Sequence, residues 1–307
     1  MSDSQPLVVA SPGELADVAA AAEHAASVWG LSRPELVRLG ANGVFECGGV
    51  VLRVSRPTAP MEVALRLAEH LATVGVRVAL PARGDTFVMG NGLVVTAWKR
   101  IHADAARAVD WVAVGAMVAR VHALDPDVIG HGGIGHPLPF CGTFPWWDFD
   151  MMMREAADLD RATRVALDGA RERHQWSILA EVGGGHVICH GDVHPGNVLV
   201  DDNGPVLIDW DLLCFGSPEW DHAPMMKWTS RWGGEAGIYE NFRNGYDSGG
   251  GRTIDDNLLA SLAEMRLLAA TLMRLQRARL DPSQRNEAHR RLAYWRGEPG
   301  APMWTAQ

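Results

Sequence analysis

Dense basic runs are missing from this 307-residue chain: 28 Lys and Arg stand against 37 Asp and Glu, a formal charge of −9. With no local cluster to reverse that balance, the composition argues against an electrostatic nucleic-acid binder. The acidity is weakly compatible with a cationic substrate, although most such charge merely keeps a protein soluble. Cysteine is also scarce. Cys47, Cys141, Cys189 and Cys214 are scattered with no CxxC pair, so neither a disulfide framework nor a zinc site is expected. No apolar run reaches the roughly 20 residues of a membrane span. The start, MSDSQPLVVASPGEL, has no basic segment ahead of an apolar one. These absences point to a reduced, cytoplasmic protein without a membrane or nucleic-acid partner, and they set no oligomeric state.

What is present is the composition of a folded protein, 47% apolar and 21% charged, long enough for two domains or one domain split into two lobes. Ser11-Pro12-Gly13-Glu14 has the form of a capping box, and an Ala-rich helix should follow to about Trp29. Leu36–Leu39, Val44–Cys47 and Val50–Val54 then read as antiparallel strands, separated by Gly40-Ala41-Asn42-Gly43 and Gly48-Gly49. Met61–Val74 is helical by its stripe of Val63, Leu67 and Leu71, and two more strands are expected near Thr86–Met89 and Leu93–Trp98. Beyond Trp98 the character is helical: Ala105–Leu124, a loop from His131 to Pro145, Asp148–Val182, and a core helix over Leu258–Leu275. The loop's HGGIGH segment lacks zinc spacing and reads as a connector. A short β episode interrupts the helices at Val187–Cys189, Val198–Val200 and Val206–Ile208, with Asn203-Gly204 as a hairpin signal.

The chemistry concentrates in His190-Gly191-Asp192-Val193-His194-Pro195-Gly196-Asn197, followed by Ile208-Asp209-Trp210-Asp211. Phosphoryl transfer to a hydroxyl needs a carboxylate to accept the nucleophile's proton and hard oxygen ligands to hold Mg²⁺ against the phosphates. Asp192 suits the first role. Asn197 offers an amide oxygen, and the hairpin carries the chain out and back so that Asp209 can return beside it. HGDVHPGNVLV…VLIDWD resembles the aminoglycoside phosphotransferase and choline kinase-like family, relatives of the protein kinases. LGANGVFECGGVVLRV, VGVRVALP and GSPEWD extend the likeness over about Arg38 to Asp221.

The resemblance implies an α+β, two-lobed protein-kinase-like fold. Residues 1–98 would form a small antiparallel-sheet, nucleotide-binding lobe with a leading helix, and residues 99–307 a larger, mainly helical catalytic and acceptor-binding lobe. It implies ATP or GTP as donor, Mg²⁺ on Asn197 and Asp209, Asp192 as catalytic base and His190 as a structural loop residue. His194 would either donate to the γ-phosphate or pack the loop. Arg53 falls at the phosphate-binding Lys of strand three, with Glu62 as its expected helix partner and Glu69 as the alternative. Asn42 and Gly43 would close a shortened phosphate loop, and Ala97 and Trp98 would form the purine-binding hinge. Asp211 is open between a second metal contact and a strand-end role, and Asp221 reads as a helix cap or loop tie. Trp146, Trp147 and Trp228, with Asp211, are candidates for an acceptor pocket, against the plainer reading of core filling. The acceptor would be a small hydroxylated molecule: an aminoglycoside or another antibiotic, a sugar, or an amino alcohol. A nucleotide-binding pseudokinase acting through partners is the rival reading, disfavoured by the presence of Asp192, Asn197 and Asp209. A protein kinase is disfavoured by Gly191 and by IDWD in place of D-F-G.

Overall fold

β-branched residues bounded by glycine build the first half of the molecule. The computed structural model describes residues 12–39, 42–57, 60–125, 138–143, 148–156, 159–177 and 185–305. Strands β1 (Glu35–Leu39), β2 (Gly43–Cys47), β3 (Val50–Ser55), β4 (Phe87–Val88) and β5 (Val94–Lys99) form one antiparallel sheet in the order β1-β2-β3-β5-β4. Side chains alternate across a strand, so Leu52 and Val54 of β3 face one way and Arg53 the other. The Leu52 face joins Phe45, Val95 and Ala97 in a core beneath helix α1 (Pro12–Val28), which contributes Val18, Ala21, Ala22 and Ala25. Pro12 opens α1 as expected, and Ser11 lies outside the described residues. Helix α2 (Met61–Thr73) buries the expected Val63, Leu67 and Leu71, but in a second core shared with the helical half. Arg53 thus sits on the sheet face turned away from α1.

Capping aspartates decide where the next helices begin. Helix α3 (Trp111–His122) starts later than the expected Ala105, because the Asp110 side chain accepts the Ala113 N–H at 3.0 Å. The mostly helical stretch expected over Asp148–Val182 holds two helices among its described residues, α4 (Phe149–Glu155) and α5 (Arg161–His174), each with its own Asp cap, Asp148 and Asp160. The hairpin of β7 (Val198–Asp201) and β8 (Gly204–Leu207) forms as read, and β6 (Val187–Cys189) pairs with a strand that the sequence reading did not anticipate, β9 (Cys214–Gly216). Helices α6 (Glu219–Met226), α7 (Trp228–Trp232), α8 (Ile238–Ser248), α9 (Asp256–Leu280) and α10 (Arg285–Trp295) complete the described chain. Helices α3 and α8 meet through glycine: a Cβ on Gly115 would lie 1.9 Å from the Phe242 carbonyl oxygen. All four cysteines are buried free thiols. Among the described residues, no helix is long and apolar enough to cross a membrane. The HGGIGH segment, Trp146 and Trp147 lie outside the described residues, as do Gly40 and Ala41.

Candidate active site

The loop between β6 and β7 is held from beneath before it presents anything to solvent. Gly191 takes φ 91°, and a Cβ there would fall 1.9 Å from the Leu212 carbonyl oxygen, so only glycine fits this turn. His190 is fully buried; its Nε2 donates to the Ile208 carbonyl (2.9 Å) while Nδ1 accepts the Asp192 N–H (3.3 Å). Burial pushes its pKa down and keeps the ring neutral. Asp221, also fully buried, accepts the backbone N–H groups of His190 (2.8 Å) and Gly191 (2.7 Å) and faces His122 Nε2 at 3.1 Å. His122 Nδ1 in turn lies 2.8 Å from the Tyr246 hydroxyl. Burial alone would raise the Asp221 pKa; His122, His190 and the Gly191 N–H outweigh it and hold the carboxyl below its ordinary range. Asp221 is therefore a loop tie, not a cleft residue.

Asp192 projects from this tied loop and is partly exposed. Arg266 of α9 donates to its Oδ1 at 2.6 Å and to the Gly191 carbonyl at 2.9 Å. Asn197 Nδ2 donates to the Asp192 carbonyl (2.9 Å) and to its Oδ2 (3.3 Å), and His194 Nε2 lies 3.3 Å from the same Oδ2. Burial alone would raise the Asp192 pKa, but His194 and then Arg266 hold it well below the usual carboxylate range. His194 Nδ1 accepts the Gly196 N–H at 3.0 Å, and its ring stacks on Trp228 with centroids 5.0 Å apart and an 8° tilt. Both ring nitrogens are therefore engaged within the loop.

Asp209 and Asp211 follow β8 and meet Arg53 from the sheet. The Ile208 N–H donates to the Asn197 carbonyl at 3.0 Å, which brings Asp209 beside Asn197. Asp209 has φ 70°, the only positive φ among described non-glycine residues, a strained geometry of the kind found at functional sites. Arg53 Nη2 bonds both Asp209 and Asp211, the latter at 2.9 Å. Burial works against the guanidinium's charge, yet the two carboxylates outweigh it and raise its pKa. Asp211 is pushed up to about 6, first by burial and then, against Arg53, by the neighbouring Asp209 carboxylate. Arg53 Nε is buried with no hydrogen-bond partner among the described residues.

Two expectations need correction. The Arg53–Glu62 pair is absent: Glu62 accepts from the Thr86 hydroxyl at 2.6 Å, and Glu69 lies exposed on α2. Two carboxylates across the cleft outcompete one on the helix. Ala97 and Trp98 do not form a hinge; they lie inside β5, opposite Leu52 and Val51, and the Ala97 carbonyl is taken by the Ala82 N–H at 2.8 Å. Trp98 is buried, with its indole N–H on Thr96. Gly43 begins β2 against α1, where a Cβ would lie 2.4 Å from Val18 Cγ1, so packing already demands glycine there. Asn42 does line the cleft.

That cleft, of about 380 Å³, brings together Asn42, Arg53, Asp192, His194, Asp209, Asp211 and Trp228. It also contains residues that sequence reasoning missed: Arg56 after β3, Lys227 before α7, Arg266, Arg274 and Arg277 on α9, and Arg291 on α10. The available signal was arginine recurring on the apolar-patterned α9, which has no meaning until that face is known to line a cavity. Asn197 and Asp209 supply oxygen donors only, which suits a hard divalent cation. The unpartnered Arg53 Nε suits a phosphate oxygen.

The tied HxDxxxxN loop, the hairpin, and the sheet facing them across a cleft define a kinase-like phosphotransferase. The chain matches the model of the phosphotransferase enzyme family (APH) over residues 37–257 and belongs to that family, as a small-molecule phosphotransferase. Among solved structures it is similar to an amicoumacin kinase in complex with AMP-PNP, Ca²⁺ and Ami, at 12% identity and TM-score 0.66, covering 95% of this chain and 98% of that one. A spectinomycin phosphotransferase in complex with ADP and spectinomycin is 15% identical with TM-score 0.60, covering 87% and 89%. A choline/ethanolamine kinase family protein from Mesorhizobium loti is 20% identical with TM-score 0.57, covering 86% and 87%. At these identities the likeness is one of fold. No curated protein matches the chain.

Proposed function

We propose that the protein transfers the γ-phosphoryl group of ATP or GTP to a hydroxyl of a small molecule, with Asp192 as the base. The observation that carries this reading is the Asp192 carboxylate itself. It is clamped by Arg266 and Asn197 and opens into the same cleft as Arg53, Asp209 and Asp211. The acceptor hydroxyl hydrogen-bonds to Asp192 as its oxygen forms a bond to the γ-phosphorus. The bond from that phosphorus to the β-γ bridging oxygen breaks, and the hydroxyl proton passes to Asp192. Because the Asp192 pKa is depressed, the carboxylate is a weak base in the ground state. That suits a loose transition state, in which the proton moves late and the base chiefly orients.

Asn197 and Asp209 would hold Mg²⁺, which when bound neutralises charge on the phosphates. Arg53 contacts the α/β-phosphates in this scheme, exchanging part of its bonding with Asp209 for phosphate oxygens. His194 positions Asp192 instead of touching phosphate, since both its nitrogens are occupied. The sheet lobe through residue 98 binds nucleotide, the remainder binds acceptor, and four free thiols suit a cytoplasmic setting. Relatives solved with ADP, or with AMP-PNP and Ca²⁺, support a nucleotide and a divalent cation.

The test is Asp192→Ala, assayed by nucleotide consumption over a panel of hydroxylated metabolites and antibiotics. Turnover should fall by on the order of 10²–10⁴ while nucleotide affinity stays nearly intact. Unchanged turnover with a genuine acceptor sinks the assignment, and nucleotide binding without any turnover in the wild type returns the pseudokinase reading.

A further inference from the structure

The carboxylate proposed for the metal already holds a cation. Arg53 Nη2 donates to Asp209, and the same nitrogen donates to Asp211 at 2.9 Å. Arg53 is the side-chain partner of Asp209 among the described residues. These side chains are largely withdrawn from water, with 11% of Arg53, 18% of Asp209 and 14% of Asp211 exposed. Solvent screens such a pair little, and breaking it is costly unless another charge takes the vacated place. A divalent cation brought to Asp209 therefore meets a guanidinium already in contact with it, and like charges on one carboxylate repel.

The two carboxylates are not held alike. Arg53 and Ser55 stand two residues apart on β3 and so share one face of the strand, while Leu52 and Val54 are buried in the other. Asp211 accepts from both Arg53 and the Ser55 hydroxyl, which ties it to the strand that carries the arginine. Asp209 is tied to that strand through Arg53 alone. The guanidinium spends one nitrogen, Nη2, on both acids, and its Nε has no hydrogen-bond partner among the described residues. Arg53 can therefore keep Asp211, give up Asp209 and turn its Nε edge to phosphate oxygens, which match the planar fork.

We propose that Arg53 is an internal competitor for the metal site, resident on Asp209 until nucleotide phosphates draw it away. Asp211 is then the anchor that Arg53 keeps, not a second metal ligand, and nucleotide and divalent cation bind as a linked pair. This rests on the phosphotransferase reading above and adds to it an order: the triphosphate clears Asp209 for its cation.

Mn²⁺ is the probe, titrated into the full chain without acceptor, and free Mn²⁺ is read by electron paramagnetic resonance. Without nucleotide, Arg53→Gln should bind Mn²⁺ at least about tenfold more tightly than the wild type. Asp209→Asn should abolish that binding. Arg56→Gln removes one charge from the same cleft and should leave it near the wild-type value. Equal affinities in wild type and Arg53→Gln overturn the proposal. So does a gain in Arg56→Gln as large as that in Arg53→Gln, which reports the field and not displacement. The double variant Arg53→Gln/Asp211→Asn should hold Mn²⁺ nearly as well as Arg53→Gln; a loss as large as that of Asp209→Asn makes Asp211 a ligand and overturns its assignment. The wild type alone tests the release, whether or not the variants fold. Saturating AMP, whose single phosphate holds Mn²⁺ weakly in solution, should tighten Mn²⁺ binding about tenfold, and adenosine should not. No tightening by AMP overturns the proposal, as does equal tightening in Arg53→Gln with each protein saturated, since phosphate and carboxylate then simply share the ion. Mn²⁺ binding that is absent from every protein, or that survives Asp209→Asn, fails the metal site itself and takes the phosphotransferase reading down with the proposal.

Discussion

The two ends of the cleft solve opposite electrostatic problems. At the Asp192 end Arg53 and Arg266 each have a carboxylate opposite them, and Asn197 holds both the carboxylate and the backbone carbonyl of Asp192. At the Arg274 end Arg274, Arg277 and Arg291 line the cleft, and the carboxylate that pairs with Arg291, Glu287, lies outside that lining. The first arrangement sets the position of one carboxylate in three dimensions, which orientation-dependent chemistry requires. The second gathers positive charge along one wall of the cleft. Charge matched within the cleft fixes geometry; charge gathered on one wall sets the field there.

The comparison breaks most severely if the support beneath the loop is removed. Asp221→Ala strips the acceptor from two backbone N–H groups and from His122, all buried. The loss should be about 3–5 kcal/mol of stability, measured by urea unfolding. Turnover should fall even under conditions where the variant remains folded, because Asp192 is placed by the same backbone. A variant that is destabilised yet turns over normally would show that Asp221 supports the fold alone and leaves the catalytic geometry to Arg266 and Asn197.

Arg53 offers a smaller perturbation. Its removal leaves Asp209 and Asp211 facing each other and the triphosphate without its charged fork. Arg53→Ala should raise the nucleotide KM roughly tenfold to a hundredfold, the effect of one hydrogen bond to a charged group. Arg53→Lys should recover only part, since an ammonium cannot span both carboxylates in one plane. Glu62→Ala should leave the nucleotide KM near its wild-type value, because Glu62 bonds Thr86 and not Arg53. A Glu62→Ala phenotype as large as that of Arg53→Ala would mean that the pair forms once nucleotide is bound.

What the sequence allowed to be read follows the range of the interactions involved. His190 to Asn197 and Asp209 were legible because their arrangement rests on neighbours in the chain: a glycine at positive φ, a histidine bonded two residues on, and a hairpin of fixed length. The sheet and the α2 stripe were legible by period for the same reason. Arg53 was placed on the correct strand and given the wrong partner, since its choice among Glu62, Asp209 and Asp211 depends on how two halves of the chain approach. Ala97 and Trp98 were misplaced by the continuation of β5 to Lys99, which the pairing with Val50 and Leu80 extends. Arg266, Arg274 and Arg277 carried no usable pattern, because a helix of leucines and arginines reads as amphipathic whichever face meets a cavity.

The gentlest test lies between the two ends. Trp228 stacks on His194, which touches Asp192, and on Trp232, whose ring meets Trp304 edge-on at 5.2 Å. It therefore belongs to the catalytic geometry through one face and to the acceptor wall through the other. Removing an aromatic stack costs about 0.5–1.5 kcal/mol beyond the buried area, or roughly threefold to tenfold. If positioning of His194 dominates, Trp228→Ala should lower kcat by that factor with the acceptor KM unchanged, and Trp228→Phe should restore most of it. If the acceptor wall dominates, the acceptor KM should rise and kcat hold. The stack on His194 is nearly parallel and His194 in turn touches Asp192, so the kcat effect should be the larger. Nucleotide KM serves as the control and should not move. An acceptor KM that rises tenfold with kcat intact would move Trp228 wholly to the arginine end, leaving Asp192 positioned by Arg266 and Asn197 without aromatic help.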